Sequence, residues 1–254
     1  MDRPIGLFDS GFGGLTVMRE VARLLPHENL IYLGDTAHLP YGNKSPQTVL
    51  QFALENSSFL MGKNIKLLVV ACHTASSHAL RALQNALPIP VIGVIQPGVE
   101  LVKPFRRIAI LGTTSTIESG VYQSLILEQN PEAIIYPKAC PLFVPLIEEG
   151  FYNHPAAALI ARAYLEPLQG QIDAALLACT HYPLIRSILQ DVLGPAVVLL
   201  EPAAMCASLV KSSLAQQKIG GKPSYEFYAT DDPEKFRRFG NIFFGSDIEK
   251  VEKK

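Results

Sequence analysis

Eight short apolar runs punctuate the chain, and amphipathic stretches with helical spacing separate them. Ile5-Gly6-Leu7-Phe8, Leu30-Ile31-Tyr32-Leu33, Leu67 to Ala71 and Val91-Ile92-Gly93-Val94 occupy the first half. Ile108-Ala109-Ile110-Leu111, Ile134-Ile135-Tyr136, Ala174 to Ala178 and Val197-Val198-Leu199-Leu200 occupy the second. Runs of this kind, closed by Gly, Asp, Thr or Cys, predict parallel strands joined by crossover helices. Matched positions in the two sets lie about 105 residues apart, the mark of an internal duplication. A single eight-stranded sheet is the simpler alternative, and the repeated offset favours two halves. The expected fold is therefore α/β: two similar α/β domains with mainly parallel sheets, pseudo-twofold related, with the active site in the cleft between them. The first domain is expected to span 1–96 plus 210–254, the second 97–209.

Beyond Pro202 the pattern predicts a helix from Ala203 to Gln217, a turn at Gly220-Gly221-Lys222-Pro223 and a strand from Tyr225 to Ala229. Asp231-Asp232-Pro233 then reads as a helix start, Asp as the cap and Pro in the first turn, running to about Phe239. This tail is assigned to the first domain, and the charged stretch from Glu249 to Lys254 is expected to fray.

Composition narrows the class. With 254 residues, 48% hydrophobic, 18% charged and a net charge of −1, the chain can bury a full core and lacks the basic surplus of a nucleic-acid binder. Its apolar runs are far shorter than the roughly 20 residues of a membrane span, and Met1-Asp2-Arg3-Pro4 leads straight into strand-like sequence. A cytoplasmic protein with neither membrane nor nucleic acid as partner is expected. Four cysteines without regular spacing read as reduced thiols.

Two of those cysteines carry the chemistry. Cys72-His73-Thr74 and Cys179-Thr180-His181 each follow an apolar run at corresponding places in the two halves, and ligands of open α/β sheets collect at the carboxyl ends of strands. A thiol at a helix N-terminus is expected to ionise more readily than a free one. A matched pair suits a reaction that removes a proton from one face of a carbon and returns one to the other. A zinc site built from Cys72, His73, Cys179 and His181 is disfavoured, because adjacent residues tend to point apart and no Cys-x-x-Cys or His-x-x-x-His pair exists. A cysteine hydrolase would leave the second thiol without a role. Cys140 and Cys206 read as core.

The glycine-bearing loop Asp9-Ser10-Gly11-Phe12-Gly13-Gly14 has neither a P-loop lysine nor the dinucleotide order of glycines, and Asp9 there suits a helix cap as well as a site carboxylate. The turn residues of Gly34-Asp35-Thr36 and Pro40-Tyr41-Gly42 can bring backbone N–H groups to a small carboxylate. Glu148 and Glu149, taken alone, read as solvent-exposed.

Taken together, Ile5-Gly6-Leu7-Phe8-Asp9-Ser10-Gly11 with Gly13-Gly14-Leu15-Thr16-Val17, Gly34-Asp35-Thr36, Pro40-Tyr41-Gly42, Ala71-Cys72 with Thr74-Ala75, Gly112-Thr113 with Thr116-Ile117, Phe143-Val144-Pro145-Leu146 with Glu148, Cys179-Thr180-His181-Tyr182-Pro183-Leu184, and Phe227-Tyr228 resemble the glutamate racemases of the cofactor-independent aspartate/glutamate racemase superfamily. The match spans nearly the whole chain. The resemblance implies that Cys72 takes the α-proton from D-glutamate and Cys179 from L-glutamate, without metal or cofactor. It implies further that Asp9 assists Cys72, that His181 assists Cys179, and that Glu148 is a further acid at the site. Ser10, Tyr41, Gly42, His73, Thr74 and Thr180, together with Asp9 and His181, would hold substrate, with Thr113 and Thr116 as weaker candidates. A homodimer that supplies D-glutamate for peptidoglycan, and so for cell shape, is implied as well. Three positions depart from the family: His73 stands where Asn is usual, His38 where Arg is common, and Glu201-Pro202 where Asp-Ser is frequent. A racemase of aspartate or another amino acid, or a binding or regulatory relative without activity, is the alternative.

Overall fold

The computed structural model describes residues 3–214 and 223–254. The predicted turn at Gly220-Gly221-Lys222, and Gln217 at the expected helix end, lie outside the described residues. Strands β1 (Ile5–Asp9), β2 (Leu30–Gly34), β3 (Leu67–Val70) and β4 (Val91–Gly93) alternate with helices α1 (Leu15–Leu24), α2 (Pro46–Gly62), α3 (His73–Ala86) and α4 (Ile95–Val102). The alternation resumes with β5 (Arg107–Gly112), α5 (Thr114–Glu118), α6 (Val121–Gln129), β6 (Ile134–Ala139), α7 (Phe143–Glu148) and α8 (Pro155–Leu165). After these come β7 (Ala174–Ala178), α9 (Arg186–Leu193), β8 (Val198–Leu200) and α10 (Ala203–Ser213). The chain then adds β9 (Tyr225–Ala229), α11 (Pro233–Phe244) and β10 (Glu252–Lys253).

Two sheets result, in the orders β10-β9-β2-β1-β3-β4 and β6-β5-β7-β8, and every described pairing is parallel. Without β9 and β10 the orders are the same, second-first-third-fourth strand of each half, as a duplicated unit requires. β1, β2, β3 and β7 are buried along their whole length, the state of a parallel strand covered on both faces, whereas β6 at a sheet edge is partly exposed. Helix α10 follows the last strand of the second sheet yet packs on α1 and α4, which ties the halves together.

The tail departs from expectation twice. Helix α11, capped by the Asp232 side chain on the Lys235 N–H, continues past Phe239 to Phe244. Its apolar stripe runs on through Phe236, Gly240 and Phe243, and Gly240 leaves room for Ile248 and Leu15. The stretch expected to fray instead forms β10: Glu252 and Lys253 pair with Tyr228 and Ala229. The open edge of β9 offers backbone partners, and the flanking charges are matched in the pairs Lys250–Glu252 and Lys253–Asp231.

Candidate active site

Cys72 and Cys179 sit one to two residues beyond the carboxyl ends of β3 and β7, one from each sheet, and both line a single buried cavity. Their local settings differ. Cys72 is the N-cap of α3, and its sulfur accepts the Ala75 N–H at 3.4 Å. Cys179 precedes a 3-10 turn, Tyr182–Ile185, instead of an α-helix, so the helix-terminus reading holds for Cys72 alone. Even there the expected ease of ionisation is overturned. Burial, followed by the charge of Asp9, pushes the Cys72 thiol up to about 12, against the smaller help of the Ala75 N–H and of Ser10; desolvation outweighs the helix dipole.

Around Cys179 the second half supplies His181, whose Nδ1 lies 3.9 Å from the sulfur and whose Nε2 lies 3.0 Å from Glu148 Oε1. Burial disfavours an imidazolium here, but the contacts with Cys179 and Glu148 prevail and raise the His181 pKa well above its usual value. Glu149 is exposed while Glu148, the last residue of α7, turns inward, so the paired glutamates divide between solvent and site.

Asp9 comes from the end of β1. Its carboxylate accepts the Gly11 N–H at 3.0 Å and, from the other half, the Thr180 hydroxyl at 3.3 Å. Burial raises its pKa, while His181 and the N–H groups of Gly11 and Gly14 oppose that rise. It thus holds the loop before α1 and also bears electrostatically on Cys72. Gly13 permits this approach, since a Cβ there would strike Thr180 Oγ1 and lie 2.7 Å from His181 Nδ1. Gly42 does the same on the other side, where a Cβ would lie 2.6 Å from Thr113 Cβ.

The hydroxyls of Thr74, Thr113 and Thr116 form a triangle with sides of 2.9, 3.0 and 2.9 Å that closes one wall across the two halves. Cys72 Sγ donates weakly to Ser10 Oγ at 3.7 Å. His73 reaches Tyr122 in the second half, Nδ1 to the phenol oxygen at 2.8 Å, and burial holds its pKa down to about 3, so this imidazole stays neutral. The Tyr41 hydroxyl turns away from the cavity: it donates to Asp35 and accepts from Asn56. Tyr41 therefore anchors its loop, and only backbone groups of Tyr41 and Gly42 remain to meet a ligand.

Sequence reasoning missed Tyr122, which no motif flags, and the buried carboxylate of Asp35, read only as part of a turn. Val144, quoted only within the Phe143-Val144-Pro145-Leu146 motif, also lines the cavity. Among the described residues no group of three or more His, Cys, Asp or Glu side chains could hold a metal ion; Cys72 faces Ser10 while His73 faces Tyr122. No described helix is long and apolar enough to cross a membrane.

The cavity has a volume of about 20 Å³, enough for one water and too small for an amino acid. Two sulfurs, a buried imidazole–carboxylate pair and converging hydroxyls meet at this cavity, groups of the kind that proton transfer at a small polar molecule requires.

Residues 5–210 match the family described as Asp/Glu/Hydantoin racemase. A glutamate racemase of Geobacter metallireducens is 44% identical to the chain, covering 97% of it and 94% of the relative. Among solved structures, glutamate racemase from Francisella tularensis in complex with D-glutamate superposes with a TM-score of 0.92 at 38% identity, covering 99% of this chain and 97% of that one. Glutamate racemase from Thermus thermophilus in complex with β-chloro-D-alanine gives 0.89 at 41%, covering 99% and 96%.

Proposed function

The chain belongs to the Asp/Glu/Hydantoin racemase family, and on that premise we propose that it is a glutamate racemase interconverting L- and D-glutamate by proton transfer between two thiols, without cofactor. The observation that carries this reading is the pair Cys72 and Cys179, each from its own sheet, at one small cavity walled by hydroxyls. The glutamate specificity follows the relatives' substrate.

In the proposed reaction one sulfur, as thiolate, takes the Cα proton; the C–H electron pair stays on Cα, and the other sulfur delivers its own proton to the opposite face. The charge that develops on Cα and the carboxylate needs fixed donors in a water-poor site. The Thr74, Thr113 and Thr180 hydroxyls and the backbone of Tyr41 and Gly42 suit that role. With the Cys72 thiol held protonated by burial, Cys72 is the donor in this state. Asp9 bears on Cys72, and His181 with Glu148 gives Cys179 a cationic neighbour. The reading treats 1–96 with 210–254 and 97–209 as the lobes that close on substrate, in a cytoplasmic homodimer that supplies D-glutamate for peptidoglycan.

The test follows L-glutamate in heavy water by circular dichroism and by deuterium at Cα. Wild-type protein is expected to lose optical rotation as deuterium enters. Cys72→Ala and Cys179→Ala are each expected to lose at least about 10²-fold to 10⁴-fold in inversion, the range of a general acid or base. Full inversion by either variant, or turnover of L-aspartate in preference to L-glutamate, would overturn the proposal.

A further inference from the structure

The two halves share one four-strand plan, but only the first carries an addition, β9 and β10, and this addition is bonded directly to the loop that brings Tyr41 and Gly42 to the cavity. Thr230, the residue after β9, uses its hydroxyl twice: it donates to Asp35 Oδ1 at 2.8 Å and accepts the Ala37 N–H at 2.9 Å. Its own N–H donates to Gly34 O at 3.1 Å. Thr36 and Asp231 exchange a second pair of bonds, 2.6 and 2.9 Å. On the other side of the loop the Asp35 N–H donates to the Asp9 carbonyl at 3.0 Å. The Asp35 carboxylate, buried to 1% exposure, also receives the Tyr41 hydroxyl and, at 3.3 Å, the Asn56 amide. Asn56 completes the set by accepting from Lys254 Nζ, just past β10, at 3.1 Å.

From this geometry we infer that Thr230 is a positioning residue for the substrate-facing backbone of Tyr41 and Gly42, acting through Asp35, with Asn56 and Lys254 as a second brace from the same added strands. The inference rests on the racemase reading for its kinetic consequence but not for its structural one. Asp35 is buried, with Oδ1 facing Thr230 and His38 Nδ1 and Oδ2 facing Tyr41 and Asn56; removing the Thr230 hydroxyl leaves a buried acceptor short of one donor, which the remaining partners must move to make good. Two donors of the loop itself can adjust, His38 Nδ1, 2.9 Å from the same Oδ1, and the Tyr41 hydroxyl on Oδ2, so the loop from His38 to Gly42 is expected to shift, while Cys72 and Cys179, held by β3 and β7, stay in place. A displaced Gly42 backbone weakens ligand binding more than it slows proton transfer.

The decisive variant is Thr230→Val, which keeps the shape and removes the hydroxyl, with Thr230→Ser as the conservative rescue. Hydrogen–deuterium exchange is expected to rise at least tenfold over residues 34–44 in Thr230→Val and to return toward wild type in Thr230→Ser. Residues 67–72 and 174–179 should be unchanged. For glutamate, KM is expected to rise about fivefold or more in Thr230→Val, with kcat within about twofold of wild type, and to recover in Thr230→Ser. Lys254→Met, at an exposed position that cannot unfold the core, is expected to raise exchange at residues 52–60 and KM by about twofold. Exchange raised evenly across the first sheet, or a KM unchanged while residues 34–44 loosen, would overturn the inference. A wild-type protein inactive on glutamate would overturn the functional reading instead, and the exchange data would still decide this one.

Discussion

An imidazole shut away from water ordinarily gives up its proton, and His73 follows that rule while His181 breaks it. Both are buried, but His73 faces a phenol and His181 faces a carboxylate and a thiol. The difference sets a testable pH dependence. A histidine whose folded pKa lies above its unfolded value of about 6.5 adds stability that is complete below that value and fades as pH rises through the folded pKa. Glu148→Gln removes one of the two interactions that raise it. The variant is expected to melt roughly 3–10 °C lower than wild type near neutral pH, the worth of a charge-assisted hydrogen bond in a chain of this size. The gap should shrink as pH rises through the folded pKa of His181. Thermal melts from pH 6 to 10 check it, and a gap that widens with pH would refute the assignment. At this scale the sequence was legible in residue identity and mute on orientation. It marked Cys72, Cys179 and Glu148, but whether Tyr41 points its hydroxyl at a ligand or at Asp35 depends on packing that local sequence does not encode. The same holds for His73, whose ring meets Tyr122 and is kept neutral by burial.

Among the elements, the strand ends do the assembling and glycine decides how closely they meet. The eight runs of the two halves became eight strands within three residues of the expected bounds, β6 running on from Tyr136 to Ala139, because buried parallel strands advertise themselves as continuous apolar segments. Stretches whose structure depends on a partner were harder to read. β10 is charged and short, and exists because β9 presents an open edge to it; α11 outran its expected end because Gly240 serves as a packing residue against Ile248. The loop after β1 makes the same point for function. Gly13 has no Cβ where one would strike Thr180 and crowd His181, so Gly13→Ala is expected to fold with a melting temperature close to wild type yet hold the halves apart at that point. The expected result is a fall of about 10²-fold in kcat/KM for glutamate, since an ångström of misplacement costs that order. Steady-state kinetics with melts on the same sample check it; wild-type kcat/KM in Gly13→Ala would mean the loop yields without cost.

For the molecule as a whole, two sheets of the same order face each other through loops that carry one thiol each. The duplicated pattern makes that plan legible in the sequence alone, whereas the degree of closure is not, because it depends on contacts between residues far apart in sequence. Thr74 with Thr113 and Thr116, Asp9 with Thr180, and Ser115 with Lys44 all cross from one half to the other. Together they leave a cavity of about 20 Å³. An amino acid does not fit that space, so binding and release are expected to part at least some of these contacts. Opening of this kind falls on the microsecond to millisecond scale and commonly limits kcat in enzymes that close over their substrate. If product release governs here, kcat for glutamate is expected to fall in near-inverse proportion to relative viscosity as sucrose is added, with a slope close to one. An α-deuterated substrate should then show little isotope effect on kcat. A slope near zero together with a full isotope effect would place the barrier at the proton transfer itself, and the closed cavity would then reopen faster than the thiols react.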